Sequence, residues 1–300
     1  MNSLTVEDQA ELTAEVDRNL YPFQDRWIKL TPGIMHYVDE GEGSETLLFV
    51  HGTPSWSFEW RRVISGLSAD YRCVAPDLIG FGMSERPADF AYTPEAHAEV
   101  FQEFVQKLDL RDVTLVVHDF GGPIALPVCL EDSARVKRLV IINTWMWSLK
   151  GERDIERAAF IVGNRFGRFL YEWANFSLRL LMPAAYADKR KLTKEIHRQY
   201  LDRFSDRRAR GKVLWTLAKS LLGSTAFYES LWEQREKLKN RPALILWGMK
   251  DAAFKPHYLE RWKKILPDAK IVELENAGHW AQEEEPEKVI ESLRSFMKRQ

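Results

Sequence analysis

Residues 115–122 read Leu-Val-Val-His-Asp-Phe-Gly-Gly. An apolar run of strand length ends in an aspartate, and two glycines follow. This junction constrains the fold more than any other feature of the chain. A strand that turns sharply into a helix leaves one side chain displayed at the apex, here Asp119. Such a turn presses backbone against backbone, and the missing Cβ at Gly121 and Gly122 permits the approach.

Three more polar motifs follow strand-like runs. His51-Gly52-Thr53-Pro54 comes after residues 47–50, Gly248-Met249-Lys250-Asp251 after 243–247, and Asn276-Ala277-Gly278-His279 after 270–274. The chain order is nucleophile, acid, histidine, which resembles the α/β-hydrolase fold. The usual elbow there is G-x-S-x-G. In this chain Asp119 fills the serine slot, Val117 the first glycine slot and Gly121 the second.

Eight strand-like runs are expected, at 27–30, 34–38, 47–50, 71–75, 113–118, 139–143, 243–247 and 270–274. The later ones are continuously apolar, as in parallel strands buried on both faces. Helical patterns fall between them at 94–108, 122–130, 256–266 and 286–297, with Thr93 as N-cap and Pro94 at the first helical position. The alternation predicts a doubly wound, mostly parallel eight-stranded sheet. It breaks between about residues 148 and 240, where no strand is legible. Helices are expected there, with breaks near Gly163, Gly167, Met182-Pro183, Gly211 and Gly223. The expected organisation is a core of residues 1–147 and 241–300 with a helical cap at 148–240.

Composition narrows the function classes. Charged residues make up 29% and net charge is −1, so no nucleic-acid partner is expected. No apolar run is long enough for a signal peptide or a membrane span, so neither a membrane partner nor export is expected, and the compartment reads as cytoplasmic. Cys73 and Cys129 lack metal-ligand spacing and read as reduced core residues. Neither a metal nor an organic cofactor is called for. Aromatic residues reach 12%, with 11 tryptophans, which suits a filled core or an aromatic-lined pocket. The chain is expected as a monomer or small homo-oligomer.

An aspartate at the apex changes the chemistry. A carboxylate is a poor nucleophile toward carbonyls but displaces leaving groups from sp³ carbon. The product is an ester on Asp119, which water must then hydrolyse. Neutral His279 would deprotonate that water and Asp251 would orient the imidazole. Backbone N–H groups of Thr53 and Phe120 would hold the oxyanion. Alkyl halides and epoxides both suit this route. Halide needs weak N–H donors in a dry pocket, whereas an epoxide oxygen needs an acid such as a tyrosine hydroxyl.

The chain is similar to haloalkane dehalogenases of the α/β-hydrolase superfamily. The resemblance runs from Leu20-Tyr21-Pro22-Phe23 to the C-terminal helix. It is carried by HGTPSWSFEWR (51–61), APDLIGFGMSERP (75–87), VVHDFGG (116–122), WGMKD (247–251) and AGHWAQEEEP (277–286). It implies conversion of a small apolar haloalkane and water to alcohol and halide, with Asp119, Asp251 and His279 as the catalytic set. Asn143 is not acidic, which favours Asp251 as the triad acid. Two positions depart from the family pattern. Phe120 replaces the usual halide-binding tryptophan after the nucleophile, and Thr53 replaces a frequent asparagine. Trp173, Trp145 and Trp147 are the candidates for the missing halide donor, with the Thr53 hydroxyl as another. Related epoxide hydrolases share the same set and add two cap tyrosines, for which Tyr171 and Tyr228 are the best placed, with Tyr186 and Tyr200 also available. A non-catalytic ligand receptor and a serine esterase are further readings. His118 is expected to point away from Asp119, His51 to shape the oxyanion loop, and Asp77 to stabilise its own loop.

Overall fold

Parallel strands need long crossovers, and this chain supplies them with helices. The computed structural model describes residues 12–298 and holds one eight-stranded sheet. Its strands are β1 (Arg26–Lys29), β2 (Ile34–Glu40), β3 (Thr46–Val50), β4 (Arg72–Pro76), β5 (Val113–Asp119), β6 (Val136–Thr144), β7 (Ala243–Gly248) and β8 (Lys270–Leu274). The spatial order is β1-β2-β4-β3-β5-β6-β7-β8. β1–β2 and β2–β4 pair antiparallel, and the remaining pairs are parallel. The sheet matches the sequence-based expectation, apart from strand ends. The opening residues of the chain, read as lacking a signal peptide, lie through residue 11 outside the described residues.

Every residue of β5 and β7 is buried, which explains their unbroken Val, Leu and Ile runs. The longer helices are α1 (Arg61–Leu67), α2 (Pro94–Lys107), α3 (Gly121–Glu131), α4 (Arg153–Val162), α5 (Arg165–Ala174), α6 (Lys194–Arg203), α7 (Trp215–Gly223), α8 (Thr225–Glu233), α9 (Pro256–Ile265) and α10 (Pro286–Met297). Thr93 caps α2 by accepting from the Ala96 N–H at 3.4 Å, with Pro94 at its first turn. α2 packs on α3, and α1 on α10. Cys73 and Cys129 are free and buried.

Between β6 and β7 the described residues form helices and turns without a strand. Two expected breaks are not breaks. Gly167 lies within α5, where a Cβ would strike the carbonyls of Ile161 and Val162. Gly211 lies within a π-helical turn against Glu172. Both glycines serve close packing, a use that sequence pattern does not separate from a helix end. Nor does the helix restart at Met182-Pro183 break the chain's course. Pro183 occupies a first-turn position of a short helix at Met182–Ala185, where its absent N–H costs nothing.

Candidate active site

The sheet brings the four polar motifs to one edge, the carboxyl ends of β3, β5, β7 and β8. Open α/β sheets bind ligands at that edge. Asp119 ends β5 with φ +50°, in the left-handed region that a non-glycine residue occupies only when its surroundings hold it there. Those surroundings are visible. The Thr144 hydroxyl donates to the Asp119 carbonyl. A Cβ on Gly121 would strike the Val50 carbonyl, and one on Gly122 the Thr144 hydroxyl. A Cβ on Gly52 would strike the Asp119 carboxyl group, so the glycine lets the loop after β3 close over it.

That loop delivers the Thr53 N–H to Asp119 Oδ1 at 2.8 Å. The Phe120 N–H also donates to the carboxylate. Asp119 Oδ2 faces His279 Nε2 at 3.6 Å. On its other side, His279 Nδ1 lies 2.8 Å from Asp251 Oδ2. An ionised carboxylate only accepts, so Nδ1 carries the proton and Nε2 is the basic nitrogen when the ring is neutral. Asp251 is itself pinned. Its Oδ1 accepts from the N–H groups of Ala253 and Phe254 at 2.7 and 3.0 Å. Its Oδ2 also accepts from Asn143 Nδ2 at 2.9 Å. Asn143, with φ +32°, ties the ends of β6 and β7 together through the Gly248 N–H (2.8 Å) and carbonyl (3.2 Å).

Electrostatics follow from burial. Asp119 is only 7% exposed. Loss of water pushes its carboxyl above the usual range, and the opposing pull of His279, His118 and two N–H groups does not cancel this. Burial also pushes Asp251 upward, but the His279 charge and its hydrogen bonds bring it below the usual carboxylate range. For His279, burial is outweighed by Asp251 and Asp119, and the imidazole is pushed up to about 9.

A second layer lies behind the histidine. His118 Nε2 lies 2.9 Å from the His279 carbonyl, which can only accept, so Nε2 carries a proton. Nδ1 is then the acceptor in the neutral ring, and it faces Gln282 Nε2 and Glu59 Oε1, each at 3.1 Å. Burial pushes Glu59 up to about 8 and His118 down to about 3, consistent with a protonated acid donating to a neutral ring. Glu59 and Gln282 were not singled out from sequence, because a lone Glu in the Trp56–Arg61 stretch gives no sign of its burial. Asp77 accepts from the N–H groups of Ser57 and Met83 and pairs with His36, which makes it a loop hub as expected. His51 bridges the Gly52 carbonyl and the Leu78 N–H.

Comparison with known proteins shows the family and the fold. Residues 45–286 match the α/β-hydrolase fold family. Haloalkane dehalogenase 2 of Mycobacterium bovis is 36% identical over 281 residues, covering 92% of this chain and 96% of that protein. The chain belongs to the haloalkane dehalogenase family of α/β-hydrolases. It is also similar to a cis-3-alkyl-4-alkyloxetan-2-one decarboxylase of Xanthomonas campestris, at 31% identity over 93% of this chain and 97% of that one. The solved haloalkane dehalogenase DatA of Agrobacterium tumefaciens superposes with a TM-score of 0.82 at 24% identity, covering 92% of this chain and 96% of that one. At that identity the likeness concerns the fold.

Within this family member the residues considered for halide or epoxide recognition sort by position. Trp145 is fully buried, and its ring meets Phe120 edge-on at 4.8 Å. Its indole N–H finds no acceptor among the described residues. It also stacks on Phe254, whose ring lies 5.6 Å from His279. Trp147 packs instead among Trp232, Tyr258 and Trp262. Trp173 is 59% exposed, and its ring contacts run to Phe169 and Arg207. The structure does not bring it to the other site residues. Tyr228 contacts Trp145, but its hydroxyl donates to the Ser220 carbonyl at 3.0 Å. The Tyr171 hydroxyl is engaged with Ser177. Tyr200 bonds Glu283, and the Tyr186 hydroxyl is buried without a partner among the described residues, beside the loop of His279, to which Ala185 is bonded.

Proposed function

We propose that this hydrolase is a haloalkane dehalogenase in which Asp119 is the nucleophile, His279 the general base and Asp251 its orienting acid. Asp119 Oδ2 attacks an sp³ carbon and the halide leaves with the bonding pair. Oδ1, already held by the Thr53 N–H, becomes the ester carbonyl oxygen, with the Phe120 N–H also directed at the carboxyl group. Water, deprotonated by His279 Nε2, adds to Asp119 Cγ, and the oxyanion develops on an oxygen whose donors are in place. Collapse expels the alkoxide, which takes the proton from His279. The net change is haloalkane and water to alcohol, halide and a proton.

One observation carries this reading: the Asp119 carboxylate lies between the backbone donors of Thr53 and Phe120 and the His279 imidazole, with Asp251 behind the histidine. A non-catalytic receptor has no use for that pairing. Epoxide opening is less well supported, since the hydroxyls of the two best-placed tyrosines, Tyr171 and Tyr228, are engaged with other groups, and of the other two candidates only Tyr186 keeps a hydroxyl without a partner among the described residues. For the halide we assign the Trp145 indole N–H and the Thr53 hydroxyl. Of the buried indoles that lack an acceptor, only that of Trp145 has a ring contact with Phe120. A second reading has support from Phe120, which lacks a side-chain N–H. An oxetan-2-one also offers an sp³ carbon, and its leaving group is an internal carboxylate that needs no halide donor. Loss of CO₂ with alkene formation would then expel Asp119 without water.

The test is intact-mass analysis of His279→Phe after exposure to 1-bromobutane, 1,2-dibromoethane, styrene oxide and a dialkyl oxetan-2-one. A stable alkyl adduct from the bromides, mapped to Asp119 with bromide released, is the expected result. An adduct from styrene oxide alone would overturn it in favour of epoxide hydrolysis. Alkene and CO₂ from the oxetanone, with no adduct from the bromides, would favour the decarboxylase.

A further inference from the structure

Helices in a folded chain are held chiefly by burying an apolar face. α4 and α5 do so only in part, with Ile155 and Val162 half-buried against the core. α4 has no buried residue, and α5 buries only Gly167 and Tyr171. All the large hydrophobic side chains exposed among the described residues lie between residues 160 and 181. Phe160 is 81% exposed, and Phe166, Phe169, Trp173 and Leu180 are each more than half exposed. A grouping of this kind on one segment marks a surface that meets something apolar.

The charges on the same segment indicate what that is. Arg153, Arg157, Arg165, Arg179 and Arg207 have no carboxylate within ion-pair range among the described residues. Of the acids nearby, Glu152 is committed to His257, Asp154 to Lys255 and Glu172 to Arg168, while Glu156 accepts from the Gly151 N–H at 2.9 Å and leaves the arginines in excess. The Arg207 guanidinium lies 4.0 Å over the exposed Trp173 ring. Aromatic side chains interleaved with unpaired arginines match the boundary of an anionic lipid layer, where rings sink to headgroup depth and cations meet phosphates. We propose that the α4–α5 surface docks this protein on an anionic bilayer.

Self-association fits less well, because a two-fold contact would lay the same unpaired arginines against each other. No helix among the described residues is long and apolar enough to cross a membrane. Lying in the interface requires no crossing. Docking would bring the site to where small apolar substrates concentrate, and the same insertion touches the loop of His279 through the Ala185 carbonyl. The proposal stands on the surface alone, so its success or failure is separate from the chemistry at Asp119.

The test is co-sedimentation of the full chain with vesicles of phosphatidylcholine, alone or mixed with phosphatidylglycerol, at low and high salt. Partition is expected onto the mixed vesicles and is expected to weaken with salt. Phe166→Ser with Phe169→Ser should weaken it roughly tenfold or more. Arg157→Ala and Arg165→Ala should each weaken it roughly fivefold. All four side chains are exposed, and circular dichroism checks that the fold is kept. Absence of partition onto either vesicle overturns the proposal. So does a dimer in sedimentation velocity that the Phe166→Ser/Phe169→Ser variant dissociates, since the occupant would then be a second copy.

Discussion

Asn143→Gly isolates the contribution of the bracket behind the acid. Glycine accepts the φ of +32° at this position, so the change removes the amide without straining the backbone. Three hydrogen bonds disappear: one to Asp251 Oδ2 and two to Gly248. A hydrogen bond to a charged group contributes about 1.5–3 kcal/mol, which as a barrier corresponds to roughly 10- to 150-fold in rate. Asp251 keeps its two N–H donors on Oδ1, so the larger figure is an upper bound. The loss acts through Asp251 on His279, and therefore on ester hydrolysis, not on attack by Asp119. Stopped-flow halide detection separates the two steps. The expected record is a fast burst of about one equivalent of bromide, followed by turnover slowed roughly 10- to 150-fold. The Gly248 N–H, left without its acceptor, should also lower stability by about 1–3 kcal/mol, while the Gly248 carbonyl keeps the Asp251 N–H at 3.2 Å. Equal slowing of the burst and of turnover would refute the reasoning, as would turnover within threefold of the parent enzyme.

Other outcomes follow from the same contacts. Trp145→Phe should slow bromide release in the burst by roughly 10- to 150-fold while leaving hydrolysis of the trapped ester unchanged; an unaffected burst would remove Trp145 from halide binding. Ester decay measured by quenched-flow mass spectrometry should rise with pH, because the base must be neutral. Its midpoint should fall between the ordinary 6.5 and about 9, since esterification removes one of the anions that hold His279 up. A rate flat between about pH 6 and 10 would contradict the assignment of His279. Glu59 is raised from 4.5 to about 8 in the fold, so its stability contribution is full below 4.5 and declines as pH rises to about 8. Glu59→Gln should therefore gain on the parent by about 1–3 kcal/mol between urea melts at pH 5 and pH 8, and a constant difference would show that Glu59 is ionised.

The sheet was legible because its strands are buried on both faces, and burial writes itself as unbroken apolar runs. Asp119, Asp251 and His279 could be named as candidates because each stands at or just after the end of such a run, and the structure brings the three side chains together. What pattern could not give was direction. Trp173 has suitable spacing from Asp119, yet it faces outward, and nothing in a helical period tells which face a helix turns to its neighbours. The tyrosine hydroxyls of α5 and α8 carried no sign of the groups they would bond. Gly167 and Gly211 read as helix breaks because close packing and chain termination use the same residue. Glu59 and His118 were hidden for a similar reason, since two polar residues 59 positions apart meet only once the sheet is formed.

The bond between Asn143 and Gly248 joins the carboxyl ends of β6, from which the chain departs into the helical insertion, and of β7, the strand of its return. Asp119, Thr53 and Phe120 precede that departure, and Asp251 and His279 follow the return. The insertion is thus a closed loop in the mechanical sense, clamped at its root by strand pairing. Its helices can exchange residues, lengthen or be replaced by those of a relative with the proton-transfer geometry kept, provided that the Ala185 carbonyl still meets the His279 N–H. Diversification of substrate range and refinement of chemistry can then proceed in this chain as separate evolutionary processes, with Trp145, at the root itself, the one assigned residue on which both would act.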